Sequence, residues 1–117
     1  MAFKFYFLDI KNQRLYYGGK VIFFTKKEFL MIHFLIEQNR VVYIDELVNH
    51  VWEGKGSVIT NNNISQLTYK IRKKLLCIKD DIIFNASVNN GGVCKFKSNI
   101  IRIKNKVIYL FIFHRLQ

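Results

Sequence analysis

Residues 3–10, FKFYFLDI, set Phe3, Phe5 and Phe7 in alternation with Lys4, Tyr6 and Leu8. A period of two with aromatic side chains predicts a strand. Asn12-Gln13 predicts a turn, RLYY at 14–17 a second strand, and KVIFF at 20–24 a third. Between the last two, Gly18-Gly19 supplies the positive φ of a tight hairpin. The chain therefore opens as a small antiparallel meander. At Thr25 the period changes. Thr25-Lys26-Lys27-Glu28 has the form of a capping box, in which the hydroxyl accepts from the Glu28 amide and the Glu28 carboxylate reaches back. Phe29, Ile32, Leu35 and Ile36 then share one face of a helix that stops near Asn39. RVVYI at 40–44 reads as a short β-branched link. DELVNHVW at 45–52 predicts a second helix with Leu47, Val48, Val51 and Trp52 inward, and EGKGSVI at 53–59 a loop.

A third helix is predicted over 61–76, NNNISQLTYKIRKKLL, with Thr60 as its N-cap. Ile64, Leu67, Ile71 and Leu75 fall within a narrow arc at about 100° per residue. After acidic residues at 80–81 the pattern returns to strand at Ile82, Ile83, Phe84 and Val88. Asn89-Asn90-Gly91-Gly92 is a strong turn signal, and Val93–Phe96 is the return strand, with Lys95 and Lys97 on or beside it. An antiparallel sheet, three helices and a basic hairpin make an α+β, winged helix-turn-helix arrangement over residues 1–97. Residues 98–117 form a basic and apolar tail. An extra strand pair turned at Lys104-Asn105 is one expectation for it, with binding of a partner or a second copy through a strand edge. Its apolar run, VIYLFIF at 107–113, is far short of the ~20 residues a transmembrane helix needs, but basic neighbours suit it to an anionic leaflet.

The chain has 117 residues and a mass of 14.0 kDa, enough for one domain, and half of its residues are apolar. Charge changes the picture more. Lys and Arg number 19 against 8 Asp and Glu, a net of +11. Residues 1–59 hold 8 basic and 6 acidic side chains, while residues 60–117 hold 11 and 2, so the positive field belongs to the second half. Such an asymmetry points to an anionic partner. The outer face of the third helix presents Asn62, Ser65, Gln66, Tyr69 and Lys73, flanked by Lys70 and Arg72. Amides and hydroxyls are the groups that read base edges, and Lys and Arg pair with phosphates. Asn89, Asn90 and Lys95 of the hairpin are placed to reach an adjacent groove or backbone.

Other chemistries have little to work with. Cys77 and Cys94 match no zinc spacing; a disulfide between them is one reading, and two reduced, mostly buried thiols of a cytosolic protein is the favoured one. His33, His50 and His114 are scattered, and no nucleophile elbow, P-loop or dinucleotide fingerprint occurs. Asp45-Glu46 reads as the dipole partner of a helix N-terminus and Asp80-Asp81 as a loop. The expectation is a binding protein and not an enzyme, with no metal, cofactor or small-molecule substrate. Trp52 and the aromatic strands lie in the near-neutral half and read as core. Residues 3–10 carry Lys4 and Asp9 and do not make a secretory signal.

From Thr25 to Val93 the chain resembles the winged-helix effector domains of OmpR/PhoB-type regulators, the ToxR-like subgroup in particular. The matching residues are Thr25-x-x-Glu28-Phe29 with Met31, Ile32 and Leu35, then Val41-Val42, Glu46-Leu47 and Val51-Trp52. Asn63-Ile64-Ser65-Gln66-Leu67 and Ile71-Arg72-Lys73-Lys74-Leu75 follow in the third helix. The resemblance covers roughly residues 3–96. It implies a transcriptional regulator whose third helix enters the major groove of double-stranded DNA. It also implies an RNA polymerase contact through the loop Glu53–Ile59. The departures are Tyr43-Ile44 in place of a Ser or Thr cap, Ser87-Val88 and Gly92-Val93 in the hairpin, and Tyr69-Lys70 where several members carry two arginines. No receiver segment with a phosphoacceptor aspartate is expected ahead of the module. Two other readings stand beside this one: a winged-helix module that binds a regulator or RNA polymerase instead of DNA, and a membrane-peripheral or truncated inner-membrane protein.

Overall fold

The computed structural model describes residues 5–52, 59–78, 82–87, 93–98 and 101–116. Three strands open it: β1 (Phe5–Asp9), β2 (Arg14–Tyr17) and β3 (Lys20–Phe23). They pair antiparallel in the expected meander, with Leu8 opposite Leu15 and Leu15 opposite Ile22. These aligned apolar residues make one buried face. Of the hairpin glycines only Gly18 takes a positive φ, and Gln13 supplies a second left-handed turn residue. The third strand ends one residue earlier than predicted. Phe24 leaves the ladder, donates its N–H to the Gln13 carbonyl at 3.2 Å, and is buried.

Helix α1 (Lys26–Gln38) starts where the capping box is written and stops at Asn39 in the left-handed conformation. The predicted link at 40–44 is in part a strand. In β4 (Val42–Tyr43), Val42 is buried and pairs with Cys94, as its β-branched character suits. Helix α2 (Ile44–Val51) and helix α3 (Asn61–Lys74) follow. The last predicted turn of α3 tightens instead into a 3-10 turn over Leu76–Ile78. Strands β5 (Ile82–Ser87) and β6 (Val93–Ser98) form the hairpin in register from Ile82–Ser98 to Ser87–Val93. Val88 and the predicted turn Asn89–Gly92 lie outside the described residues.

The core lies between the meander and the helices. Tyr6, Leu8, Leu15 and Ile22 of the sheet meet Phe29, Met31, Ile32 and Leu35 of α1, Leu47 and Val51 of α2, and Leu67, Ile71 and Leu75 near α3. Trp52 packs against this cluster, as its place on the inward face predicts.

The tail departs from expectation. In place of a strand pair it forms a two-residue strand, β7 (Ile101–Arg102), and then helix α4 (Lys106–Leu116). Strand β7 pairs parallel with β1, so the first sheet runs β3-β2-β1-β7. Asn105, read as a turn residue, acts as a helix cap: its side-chain oxygen accepts from the Ile108 N–H at 3.1 Å. A seven-residue apolar run does not by itself distinguish strand from helix, and the cap decides. Tyr109 of α4 is 3% exposed and packs on Phe7 and Tyr16, with ring centroids at 6.0 and 6.4 Å. Its hydroxyl donates to the Gly18 carbonyl at 3.3 Å. Phe7 and Tyr16 are on the side of the meander away from the main core. Strand β1 is consequently buried on both faces, with the helical layer on one and α4 on the other. Cys77 is exposed, against the expectation of a buried thiol, because it sits in the 3-10 turn after α3, one residue ahead of inward-facing Ile78.

Candidate nucleic-acid interface

Helix α3 is capped as its sequence predicts. Thr60 Oγ1 accepts from the Asn63 N–H at 3.3 Å, and Asn63 Oδ1 accepts from the Thr60 N–H at 3.0 Å. Ile64, Leu67, Ile71 and Leu75 are buried. Thr68 joins them because its hydroxyl is satisfied locally, donating to the Ser65 carbonyl at 3.0 Å. The opposite face is exposed along its length: Asn62, Ser65, Gln66, Tyr69, Lys70, Arg72 and Lys73. Tyr69 is 61% exposed, although it is the one large aromatic group on the helix. The face runs from amides and a hydroxyl at the N-terminal end to three cations at the C-terminal end. Cations there also suit the negative end of the helix dipole.

Lys74 belongs to the same basic run but points back into the protein. Its ammonium donates to the Glu28 carboxylate, which is 1% exposed at the start of α1, and sits 5.7 Å from the centroid of the Phe24 ring. Burial alone raises the Glu28 pKa, but the hydrogen bonds from Lys74 and Thr25 outweigh it and hold the group below its ordinary 4.5. The pair fastens the C-terminal end of α3 to the N-terminal end of α1. Sequence reasoning missed it. The nearest signal was that Glu28, already committed to the capping box, opens the buried face of its helix.

Helix α2 holds its place without the usual cap residue. Tyr43 occupies the N-cap position with its side chain 61% exposed, and Glu46 accepts from the Tyr43 N–H at 3.1 Å. Arg40 grips both oxygens of Glu46, at 2.9 and 3.2 Å. Phe34 of α1 stacks on His50 of α2 at 4.5 Å between centroids. His33 lies on Phe29 and beside Glu37, and Glu37 accepts from Arg102 of β7 at 2.8 Å. Among the described residues no group of three or more His, Cys, Asp or Glu is arranged to hold a metal.

In the hairpin, Lys95 stands on β6 opposite Asn85. Asn89 and Asn90 lie outside the described residues, as do residues 53–58 of the loop before α3. The structure therefore brings together the seven predicted residues of α3 on one exposed face. Lys95 is located by its strand register alone.

Comparison with known proteins gives a consistent placement. The chain is 28% identical over 85 residues to the response regulator protein GraR of Staphylococcus haemolyticus (strain JCSC1435), and 26% identical over 85 residues to GraR of Staphylococcus aureus (strain Newman). Each match takes in 72% of this chain and 38% of the relative, so the chain spans well under half the length of these regulators. Its fold is similar to that of the response regulator AdeR DNA-binding domain, solved in complex with an intercistronic region. The TM-score is 0.60 at 22% identity, over 77% of this chain and 93% of the other. Residues 19–86 match the family described as "Transcriptional regulatory protein, C terminal", and the chain belongs to that family of OmpR/PhoB-type winged-helix domains.

Proposed function

We propose that this chain is the double-stranded-DNA-binding part of a transcription regulator, reading sequence through α3 in the major groove. The observation that carries this reading is the exposed face of α3, with base-reading side chains at one end and phosphate-pairing cations at the other on a helix anchored by its buried stripe. The AdeR domain that shares the fold is itself described with DNA. Asn62, Ser65, Gln66 and Tyr69 face base edges or sugars, and Lys70, Arg72 and Lys73 hold phosphates. Asn89, Asn90 and Lys95 place the hairpin on the adjacent groove or backbone. The ToxR-like character of the α3 motif, an RNA polymerase contact through Glu53–Ile59 and a cytoplasmic location belong to the same proposal.

The test is fluorescence anisotropy on random-sequence duplex DNA at several salt concentrations. Micromolar binding that falls steeply with salt is expected. In Arg72→Ala/Lys73→Ala the slope of log affinity against log salt should drop by about one to two, one for each phosphate that is no longer neutralised. A wild type that does not bind at low salt refutes the proposal. Gln66→Ala and Tyr69→Ala should instead alter the preference among sequences selected from a random pool.

A further inference from the structure

We propose that the outward side of α4 docks on an anionic lipid surface, the helix lying among the headgroups with Lys104 and Lys106 on the lipid phosphates. Tyr109 faces the sheet. At about 100° per residue, Val107 and Phe111 then stand opposite it, and Ile108 and Leu110 flank it on either side. Val107 is 75% exposed and Phe111 60%, with Ile108 and Leu110 also exposed. A surface helix ordinarily turns polar side chains to that side, so a continuous apolar face marks an interaction site. The meander extends it. Ile22 points into the core, so Val21 and Phe23 project on the side that carries Tyr16 and α4, and both are exposed.

The chemistry at the rim selects the occupant. Residues 104–111 carry Lys104 and Lys106 and no acid, while Arg102 turns to Glu37 on the helical side of the sheet. Lys104 and Lys106 are exposed at the start of α4. Asp9, on the same side of the meander, is buried and accepts from the Asn12 side chain at 3.0 Å. A second copy on this face would set these lysines against their own kind, on chains each carrying +11. An anionic leaflet satisfies both parts of the surface: apolar groups enter the acyl boundary while ammonium groups stay at the phosphates. Among the described residues no helix is long and apolar enough to cross a membrane, and the exposed lysines at the start of α4 suit it to lie along the surface. The sheet separates this face from α3, so the inference stands apart from the DNA reading.

Flotation with phosphatidylcholine vesicles, with and without phosphatidylglycerol, tests it in the absence of DNA. The full chain should float with the phosphatidylglycerol vesicles and stay behind with phosphatidylcholine alone. Val107→Ser/Phe111→Ser should lower the bound fraction about tenfold, and Lys104→Gln and Lys106→Gln about fivefold each. Arg72→Ala/Lys73→Ala should float as the wild type does. Circular dichroism melting of each variant confirms that it is folded. The proposal fails if the wild type does not float. It fails equally if the α3 variant loses as much binding as the α4 variant, since a general attraction of +11 for anions would then explain everything. A dimer in sedimentation velocity that Val107→Ser/Phe111→Ser dissolves, with no flotation, would assign the face to a second copy and overturn it.

Discussion

At Glu28 one carboxylate accepts from the Thr25 backbone and from the ammonium of Lys74, far along the chain. Removing Lys74 leaves that buried carboxylate with only its local bonds. Lys74→Met should therefore cost about 2 kcal/mol by urea unfolding, a figure reduced from the fully buried case because Lys74 is about one-third exposed. Lys73→Ala, on the open side of the same helix, should stay within about 0.5 kcal/mol. The Glu28 pKa lies below its unfolded value, so the folded state binds fewer protons near that value. The contribution is complete above about pH 4.5 and is lost as pH falls through the folded pKa. Glu28→Gln should accordingly flatten the loss of stability between pH 5 and pH 3, as urea midpoints at each pH would show. A wild-type slope in the variant would place the acid sensitivity in other carboxylates.

Among the elements, α2 and α4 show how local rules are met by unexpected residues. Helix α2 lacks a side-chain cap on its first orphan N–H groups, and Glu46 with Arg40 compensates only at the Tyr43 amide. Tyr43 already has the extended backbone of an N-cap, at φ −77° and ψ 150°. Tyr43→Asp should therefore stabilise the protein by about 0.5–1 kcal/mol and raise Tm by a few degrees. Helix α4 is tied to the sheet through Tyr109, and Tyr109→Ala should cost about 2–4 kcal/mol by the same unfolding measurement. Helices α1 and α3 were legible because caps and apolar stripes sit within a few residues of one another: Thr25 with Glu28, Thr60 with Asn63, Ile64 with Leu67 and Ile71. The face of α3 was legible for the same reason, since one periodicity assigns both its sides. Strand β4 and helix α4 were not. Val42 becomes a strand only because β6 lies beside it, and the apolar run of α4 is set on its course by Asn105 and by the aromatic face that Phe7 and Tyr16 make on β1 and β2. The Lys74 pairing was hidden because its partner is contributed by another helix.

In the whole molecule the meander acts as a partition, with the helical layer and α3 on one side and α4 on the other. Two surfaces facing apart can be occupied together. A labelled duplex should rise with phosphatidylglycerol vesicles when the protein is present and remain below when α4 carries Val107→Ser/Phe111→Ser. The same partition bears on how the chain is made. Strand β1 leaves the ribosome well ahead of its outer neighbour β7, at residues 101–102. At about 5–20 residues per second, β1 waits on the order of 5–20 s with one row of backbone donors and acceptors open. An unpaired edge of this kind invites pairing with another chain. Phe5, Tyr6 and Phe7 make it an adhesive one. The pace of synthesis, and whatever shelters β1 in the meantime, thus decide how much of this protein reaches its native state.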